Sequence, residues 1–576
     1  MDPLQPIPTT NLDAGSDSPL SAQADLLEVV QRINGTGLVP CSQFGTLNQA
    51  VAAIGSTVKT LAYGADITVS ANIVIPANIE LLPYNGAKIN HSTYTISYSG
   101  STKRWPSTQI FNGTGAVTGF KDVTLPVWWG ATNSALSTTA VQAAVASGGK
   151  VVIPEGFTYI VKNIAITTAK QTVEVNGTLQ LPSSCADNDA VFVATSIDGI
   201  RIVGTGIIDG NKAGQSGTVS QQLIRFLTSN NVFVGNGLTF KKNYSGASTS
   251  YAAIYITGSN NKVDNIYLFD WSKEGVYLNE CSYSSVLNVI AIDVDSDSWS
   301  AVQVGGSTST HNRINDITAK NTGASAVGLD SKYSSVSDIV VDTVRFQNGV
   351  NLGHTGKPAS YSTVSNIVVK NLTDNANVNS AGVNVGGDSV GVEINNVVVD
   401  GSTQRGINIS DGATDVDLSN IRVKDCLTGI SMYKSGQVKI NKFSLHGTIT
   451  TGIIKDSAAS SDYTTLHATD IDLTVATNKI AGAATGLASP YTVFQTAVFD
   501  NTAATDSGVA IAGLGAGGTV TVTNANARAN SRIILEPSNV AGMNAMPFIS
   551  TQNDGNFVVT TVNNGAAGAF VRWKIV

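Results

Sequence analysis

A short repeat constrains this chain more than any other feature of its sequence. The pattern apolar, any, Asn/Asp, apolar, any, apolar recurs at spacings of roughly 22 to 30 residues, which is the range of a solenoid. We call the third residue of each copy the marker residue; the markers are Asn265, Asn288, Asp316, Asp338, Asn366, Asn396 and Asn420. Each copy then carries a second short apolar stretch, such as GVYL, AVQV or GVNL, usually behind a small residue.

Two or three short strands per copy, joined by Asn/Gly turns without a helix, predict an all-β fold, a parallel β-helix. The composition agrees, because 13% charged residues and 56 glycines disfavour long surface helices. One aliphatic residue in each second stretch should point inward and stack on its neighbours; these residues are Val276, Val302, Val327, Val350, Val383, Ile407 and Ile430. Each copy buries that face only against adjacent copies, so we expect one core continuous along the axis.

The regions around the repeat predict further domains. Residues 1–35 resemble a flexible arm followed by an amphipathic helix that docks elsewhere, and residues 36–125 predict a small N-terminal domain. The β-helix should span residues 126–460, entered through a short capping helix in TTAVQAAVASGGKVVIPEGFTYIV. Residues 461–576 predict a linker and a small antiparallel β-sandwich, with strands in TVFQTAVFD, GTVTVTNA, SRIILEP and NFVVTTVNNGAAGAFVRWKIV.

Several classes of partner and cofactor are not expected. A net charge of −7 argues against a nucleic-acid partner. The sequence has no run of about 18 apolar residues, so membrane insertion is not expected. The four cysteines are far apart, which predicts buried free thiols. The acidic run AIDVDSDSW is not an EF-hand loop, because positions six and twelve from Asp293 are Ser298 and Val304. We therefore expect neither a metal nor a cofactor.

The fifth residue after each marker forms a second column of short polar residues, which predicts turns. This turn column consists of Asp270, Asp293, Asn321, Thr343, Asn371, Gly401 and Asp425. Asp293 is accordingly interpreted as a turn residue. Asp295 and Asp297 lie beyond the column, in a loop leading to Trp299, and have no equivalents in the next copy.

Carboxylates from adjacent copies are the candidate catalytic groups. Glu274, Asp297 and Asp330 come from three successive copies, and Asp295 is a fourth, undecided candidate. Successive coils lie about 4.8 Å apart, and glycosidases place two carboxyl groups about 5 to 9.5 Å apart, so one or two coil steps can provide the spacing. One group would protonate the glycosidic oxygen, and the other would activate water or attack the anomeric carbon.

Nearby side chains are candidate substrate ligands. Trp271 and Trp299 either stack on sugar faces or are buried, and Lys273 lies beside them in sequence. An outward column containing Tyr277, Gln303 and Asn351 would offer polar groups to sugar hydroxyls, or would be ordinary β-helix surface.

A second set of residues would suit a lyase rather than a hydrolase. His354 and Arg405 could remove a proton beside a uronate carboxylate and stabilise the resulting charge.

The segment WWGA…TTAVQAAVASGGKVVIPEGFTYIV, the repeated coils and the terminal strands resemble bacteriophage tailspike depolymerases of the pectate-lyase-like superfamily. The N-terminal IPTTNLDAGSDSPLSAQADLLEVVQRIN resembles the opening of capsule depolymerases from phages of encapsulated enterobacteria such as Klebsiella. The chain departs from relatives at GATNSALSTTA, which lacks their aspartates, and it matches none of the polygalacturonase motifs. No catalytic role is therefore carried over.

The resemblance implies a right-handed β-helix and a homotrimer, made in the host cytoplasm and carried on the virion tail through the N-terminus. It also implies binding and depolymerisation of bacterial capsular polysaccharide outside the cell. An endo-glycoside hydrolase, a polysaccharide lyase and a non-enzymatic receptor-binding spike all remain open at this point.

Overall fold

The structure is a computed structural model that describes most of the chain. It divides into two compact units, Met1–Ala247 and Ser248–Val576. The described residues are 37–217, 219–246, 252–293, 299–354, 356–373, 380–433, 435–456, 466–473, 475–482, 507–511, 519–523, 533–537, 547–553, 556–561 and 570–575. The predicted arm and helix of residues 1–35 lie outside this set.

The described residues of the first unit include two α-helices, α1 (Leu47–Ile54) and α2 (Thr138–Ala146), with short 3-10 turns at Cys41–Gln43, Pro126–Trp129 and Lys212–Gly214. Its strands are β1 Leu38–Pro40, β2 Lys59–Tyr63, β3 Ile67–Thr68, β4 Ile73–Ile75, β5 Ile79–Pro83, β6 Ile89–Ser92, β7 Ile96–Tyr98, β8 Phe111–Gly113, β9 Val117–Thr118, β10 Val123–Thr124, β11 Ala135–Leu136, β12 Lys150–Ile153, β13 Thr158–Ile160, β14 Ile164–Ala165, β15 Thr172–Val175, β16 Thr178–Gln180, β17 Ala190–Thr195, β18 Arg201–Val203, β19 Ile207–Asp209, β20 Gln222–Leu227 and β21 Phe233–Lys241.

These strands stack in parallel from coil to coil, starting with three small sheets, β1-β2-β5, β3-β6-β8 and β4-β7-β9. Helix α1 begins with a capping box formed by Thr46 and Gln49, and helix α2 buries Val141 and Ala144. Helix α2 is the predicted capping helix, followed by strand β12, and that prediction is confirmed. An aromatic core that includes Trp105, Phe111 and Trp128 fills the early coils.

The second unit is built from strands alone among its described residues. They are β22 Ala252–Ser259, β23 Lys262–Phe269, β24 Glu274–Ser282, β25 Ser285–Ile292, β26 Ser300–Thr310, β27 Arg313–Thr322, β28 Ser325–Lys332, β29 Ser335–Val344, β30 Asn348–Leu352, β31 Thr363–Leu372, β32 Ala381–Val385, β33 Val390–Ser402, β34 Arg405–Ile409, β35 Thr414–Lys424, β36 Thr428–Tyr433, β37 Val438–His446, β38 Ile449–Asp456, β39 Leu466–Asp472, β40 Ala476–Gly482, β41 Ser507–Ile511, β42 Thr519–Thr523, β43 Ile533–Pro537, β44 Pro547–Asn553, β45 Asn556–Thr561 and β46 Phe570–Ile575.

Strands β22 to β40 form two parallel sheets that alternate along the chain. The odd-numbered strands β23 to β39 carry the marker residues and form the marker sheet, and the even-numbered strands β22 to β40 form the second sheet. The predicted inward residues, from Val276 to Ile430, are aligned across consecutive strands and fully buried. The prediction of a parallel β-solenoid is confirmed.

The marker residues are corners. All adopt left-handed backbone conformations, with φ values of 55°, 52°, 63°, 58°, 58°, 56° and 53° in chain order. Asn and Asp tolerate this region better than other side chains, which explains their recurrence. Their side chains also join successive coils, since Asn366 Nδ2 donates to Asp338 Oδ1 (2.9 Å) and Asn396 Nδ2 donates to Asn366 Oδ1 (3.1 Å).

The turn column is left-handed at six positions; these are Asp270, Asn321, Thr343, Asn371, Gly401 and Asp425. Asp293 has a role that the turn prediction did not foresee. Its carboxylate is fully buried and forms an ion pair with Arg345, two coils further along. This residue therefore holds coils together.

The described C-terminal strands form two antiparallel sheets, β41-β46-β43 and β42-β45-β44. The predicted antiparallel strands in GTVTVTNA, SRIILEP and NFVVTTVNNGAAGAFVRWKIV are confirmed, whereas TVFQTAVFD lies outside the described residues. Packing of the two sheets into a sandwich stays a prediction, as do the domain boundaries after residues 35, 125 and 460. All four cysteines are free and buried, as predicted.

Candidate active site

The candidate site lies on the outward face of the second sheet, where β24, β26 and β28 run side by side. Two outward columns cross these strands. In the first, Tyr277 aligns with Gln303 and then Gly328; in the second, Asn279 aligns with Gly305 and then Asp330. Parallel pairing thus brings side chains from three coils to one surface.

Asp330 is the buried acid of this surface, with 7% of its area exposed. Its Oδ2 accepts a hydrogen bond from Gln303 Nε2 at 2.9 Å, while Oδ1 has no partner among the described residues. Burial raises the pKa of Asp330 to about 6, although the positive charges of His354 and Lys357 and the bond from Gln303 offset part of that rise. Near neutral pH this carboxyl group can therefore gain and lose a proton.

Two glycines make room for this arrangement. A Cβ atom on Gly328 would lie 1.8 Å from Gln303 Oε1, and a Cβ on Gly305 would lie 2.4 Å from Asp330 Cβ. Both distances are far below van der Waals contact, so any side chain there would displace the amide or the acid. In the sequence these residues lie in the segments AVQVGG and AVGLD. Both segments resemble ordinary solenoid strands, and only the strand register shows that Gln303, the two glycines and Asp330 are neighbours.

A tyrosine network borders the acid. Tyr277 Oη donates to Asn279 Oδ1, and Asn279 Nδ2 donates to Tyr255 Oη, both at 2.9 Å. Burial raises the pKa of Tyr277, and the charges of nearby groups, including Asp330 and Glu274, raise it further. Tyr277 therefore stays protonated and acts as a hydrogen-bond donor.

Glu280 is a second carboxylate at this surface, and it was not among the predicted catalytic residues. Its two oxygens accept hydrogen bonds from the backbone N–H groups of Ser307 (3.0 Å) and Thr308 (2.9 Å) and from both hydroxyls. Burial would raise the pKa of Glu280, but these bonds outweigh it and lower the pKa. The carboxylate lies against Gly306, next to the glycine that Asp330 packs on.

The predicted residues Lys273, Glu274 and Trp299 gather at the opposite end of these strands. Glu274 is 6% exposed at the start of β24, and Lys273 Nζ lies 4.1 Å from the centre of the Trp299 ring, which is 38% exposed. The Trp299 N–H also donates to the Lys273 carbonyl at 2.7 Å. Asp295 and Asp297 lie outside the described residues.

Strand register separates Glu274 from Asp330 along the strand direction as well as across the coils. Glu274 precedes Asn279 by five residues on β24, which corresponds to about 16 Å along the strand. Asn279 in turn aligns with Gly305 and Asp330 across two coil steps, or about 10 Å. The backbone positions of Glu274 and Asp330 are thus much further apart than the coil steps alone imply.

Trp271 does not provide a platform for sugar, contrary to its place among the candidate substrate ligands. Its side chain is fully buried, and its indole Nε1 donates to the Ser300 carbonyl at 3.1 Å. No ring face is open to a sugar, because the indole fills the space beneath the start of β26. Among the two predicted tryptophan platforms, only Trp299 reaches the surface.

Beyond Gly328, the side chains of the outward polar column form hydrogen bonds with one another. Asn384 Nδ2 donates to Asn351 Oδ1 (2.8 Å), and Asn408 Nδ2 donates to Asn384 Oδ1 (2.7 Å). Arg405 is 9% exposed, and its Nη1 donates to Asn408 Oδ1 at 2.7 Å. The sugar-binding roles of Asn351 and Arg405 stay predictions.

Within the described ranges, no three or more His, Cys, Asp or Glu side chains cluster in a way that could hold a metal ion. No described helix is long and apolar enough to span a membrane.

Solved structures similar to this chain include phage tailspike proteins. The Dettilon tailspike protein has 13% identity and a TM-score of 0.45, with 78% of this chain and 93% of that chain covered. A tailspike variant of E. coli bacteriophage HK620, solved with a pentasaccharide, has 14% identity and a TM-score of 0.43, covering 76% and 89%. An exopolygalacturonase from Thermotoga maritima has 12% identity and a TM-score of 0.34, covering 66% and 95%.

The resemblance to tailspike proteins noted in the sequence is thus found again among solved structures, as a likeness in fold. No protein-family model matches the chain, and no curated protein does.

Proposed function

We propose that this protein is an endo-glycoside hydrolase that binds and depolymerises a bacterial capsular polysaccharide, with Asp330 as the proton donor. The observation that carries the proposal is the environment of Asp330: a buried carboxyl group, one oxygen held by Gln303, and a pKa raised to about 6. A general acid works best when its pKa is close to the working pH. The outward face of stacked coils offers the length along which a polymer can lie.

In this mechanism Asp330 protonates the glycosidic oxygen as the bond to the anomeric carbon breaks. Gln303 keeps the carboxyl group oriented through Oδ2. Tyr277 and Asn279 present a hydroxyl and an amide beside it for sugar hydroxyls. A water molecule completes the hydrolysis and leaves a new reducing end.

The second carboxylate of the pair is proposed to be Glu280. One coil step and one residue step separate the backbone of Gly306, which Glu280 contacts, from that of Asp330, or about 6 Å. The two acids also have pKa values displaced in opposite directions, which is the pattern of a proton donor beside an ionised partner.

Glu274, Asp297 and Asp295 remain as alternative second carboxylates. Glu274 lies at the start of the same strand as Glu280, so it would require a substrate that reaches across the full strand length. Trp299 and Lys273 beside it are proposed as a sugar contact at that end of the surface.

The test is depolymerisation of a panel of purified Klebsiella capsular polysaccharides, followed by viscosity and by new reducing ends. Asp330→Asn should lower the rate by at least a hundredfold, since general acid catalysis contributes about 10² to 10⁴. Glu280→Gln, Glu274→Gln, Asp295→Asn and Asp297→Asn then identify the partner, with Asp388→Asn as a surface control. An Asp330→Asn variant that depolymerises at the wild-type rate would refute the assignment.

A lyase that uses His354 and Arg405 is the second candidate, and it is favoured by the positive charges of His354 and Lys357 near Asp330, which would suit a uronate carboxylate. Elimination beside a uronate carboxylate produces a conjugated double bond that absorbs in the ultraviolet, which hydrolysis does not. Polysaccharide binding without either product would leave a receptor-binding spike.

We also propose that the chain acts as a homotrimer on the phage tail, attached through residues 1–35. Light scattering of the full chain and of a version lacking residues 1–35 tests this. Both should have the trimer mass, because the arm is proposed to serve attachment alone.

A further inference from the structure

Four aromatic rings stack on one corner of the second unit. Tyr283, His311, Tyr333 and Tyr361 come from successive coils, with centroid distances of 4.8, 5.4 and 5.2 Å and interplanar angles of 10°, 19° and 10°. We call this row the aromatic ladder. Its axis follows the stacking direction of the coils.

The ladder is exposed and its ring edges are unused. Tyr283, Tyr333 and Tyr361 are 63%, 52% and 54% exposed, and none of the four side chains makes a hydrogen bond to a described residue. The ring faces cover each other, so the ladder presents phenol hydroxyls and one imidazole edge to solvent. These polar groups repeat once per coil, at about 5 Å.

The backbone makes these positions costly for aromatic residues. All four have left-handed φ values between 53° and 57°, a region that bulky side chains avoid. The aligned position is Asn260 in the preceding coil and Gly391 in the following one, residue types that tolerate this conformation. Stacking of the rings offsets part of the conformational cost of the left-handed backbone. It does not explain why the rings carry polar groups at their exposed edges.

The ladder runs beside the candidate active site. Tyr333 follows Asp330 by three residues, or about 10 Å of extended chain, and Tyr283 follows Asn279 by four. A polymer lying along the coils over Asp330 would therefore have the ladder along one side.

We propose that the aromatic ladder is a carbohydrate-binding ridge that contacts a polysaccharide chain running along the solenoid, through the hydroxyls of Tyr283, Tyr333 and Tyr361 and the ring of His311. A row of polar groups spaced once per coil fits a ligand that itself repeats, which a polysaccharide does. The ligand class rests on the proposed function. The contact would hold the chain in line with Asp330 and so act on binding.

Replacing the three ladder tyrosines with phenylalanine tests the ridge, because phenylalanine keeps the stacking and removes the hydroxyls. The triple variant Tyr283→Phe, Tyr333→Phe and Tyr361→Phe is made with Asp330→Asn, so that the polymer stays intact. Tyr267→Phe is the matched control, since Tyr267 is 44% exposed on the marker sheet of the same unit. Affinity for the Klebsiella capsular polysaccharide panel is measured by calorimetry.

One lost hydroxyl contact should weaken binding about fivefold, and the triple variant should bind at least tenfold more weakly than the Asp330→Asn parent. The control should bind as its parent does. Triple-variant affinity within twofold of the parent overturns the ridge. The single variant Tyr333→Phe, with an unchanged melting temperature and a weaker affinity, separates lost contacts from altered folding.

The ridge and the proposed hydrolase can fail separately. Wild-type protein that binds through the ladder tyrosines without cutting keeps the ridge and removes the hydrolase. If the wild-type protein and the triple variant without Asp330→Asn cut the polysaccharide with the same KM, the proposed hydrolase stands and the ridge is refuted.

Discussion

Removing the amide of Gln303 should move the pH dependence of the proposed hydrolase activity in a fixed direction. Gln303 Nε2 donates to Asp330 Oδ2 at 2.9 Å, a bond that favours the ionised carboxylate and so lowers its pKa. Gln303→Leu deletes the donor at nearly constant volume. The pKa of Asp330, about 6 in the native chain, should therefore rise.

The size of the change follows from the strength of the bond. A hydrogen bond to a charged group contributes about 1.5 kcal/mol at the lower end, and a change of one in pKa corresponds to about 1.4 kcal/mol. The pKa should rise by about one. As the proposed proton donor, Asp330 would be active only when protonated, so activity should fall as pH rises through this pKa. In Gln303→Leu that alkaline fall should occur about one pH unit higher.

The assay is the pH profile of kcat/KM from pH 4 to 9, measured by reducing ends. Gly328→Ala offers an independent route, because the added Cβ would stand 1.8 Å from Gln303 Oε1 and displace the amide. It should shift the profile the same way, and adding it to Gln303→Leu should cause no further shift. An unchanged or lowered midpoint in Gln303→Leu would refute the role of this bond.

Three further predictions concern stability. Folding raises the pKa of Asp330 from 3.8 to about 6, so the folded state is favoured while this carboxyl group is protonated and loses that stabilisation as pH rises through 6. Asp330→Asn removes the ionisation and should stabilise the protein by about 3 kcal/mol at pH 8 but not at pH 3.5, which thermal unfolding at the two pH values measures. Arg345→Met should cost about 3 kcal/mol in denaturant unfolding, because it removes the cation paired with the fully buried Asp293, and a loss below 1 kcal/mol would contradict this. Asn366→Val and Asn366→Gly both remove the hydrogen bonds to Asp338 and Asn396, but only valine adds the conformational cost of a φ of 58°. Asn366→Val should therefore lower the free energy of unfolding by at least about 1 kcal/mol more than Asn366→Gly does, and equal effects would argue against conformational cost.

The solenoid could be predicted because its information is local and repeated. The marker pattern combines inward aliphatics with a corner that only a few side chains tolerate, and both requirements recur in every coil. Val276, Val350 and Ile430 were assigned to one inward column by pattern alone, and the pairing of the strands confirms it. The role of Asp293 could not be predicted, because its partner Arg345 is 52 residues away.

The candidate site was predictable only in part, because its geometry depends on register. Asp330 was found as an acid beside a second strand, but its alignment with Gly305 required the strand pairing. Glu280 was missed because its importance comes from the N–H groups of Ser307 and Thr308 in the next coil. The sequence left both a sugar platform and a buried role open for Trp271, because it does not distinguish an indole that faces solvent from one that faces the core.

The constant five-residue step between marker and turn column has a consequence for how such a chain changes. In all seven copies this step is the same, from Asn265 to Asp270 and from Asn420 to Asp425, while the spacing between markers varies. Inserted or deleted residues are therefore absorbed elsewhere in the coil, in the turns on either side of the second-sheet strands and in register shifts within those strands, such as the one between Gly305 and Thr310. The coils can exchange the loops that border the proposed substrate surface while the corners that set their stacking remain in place.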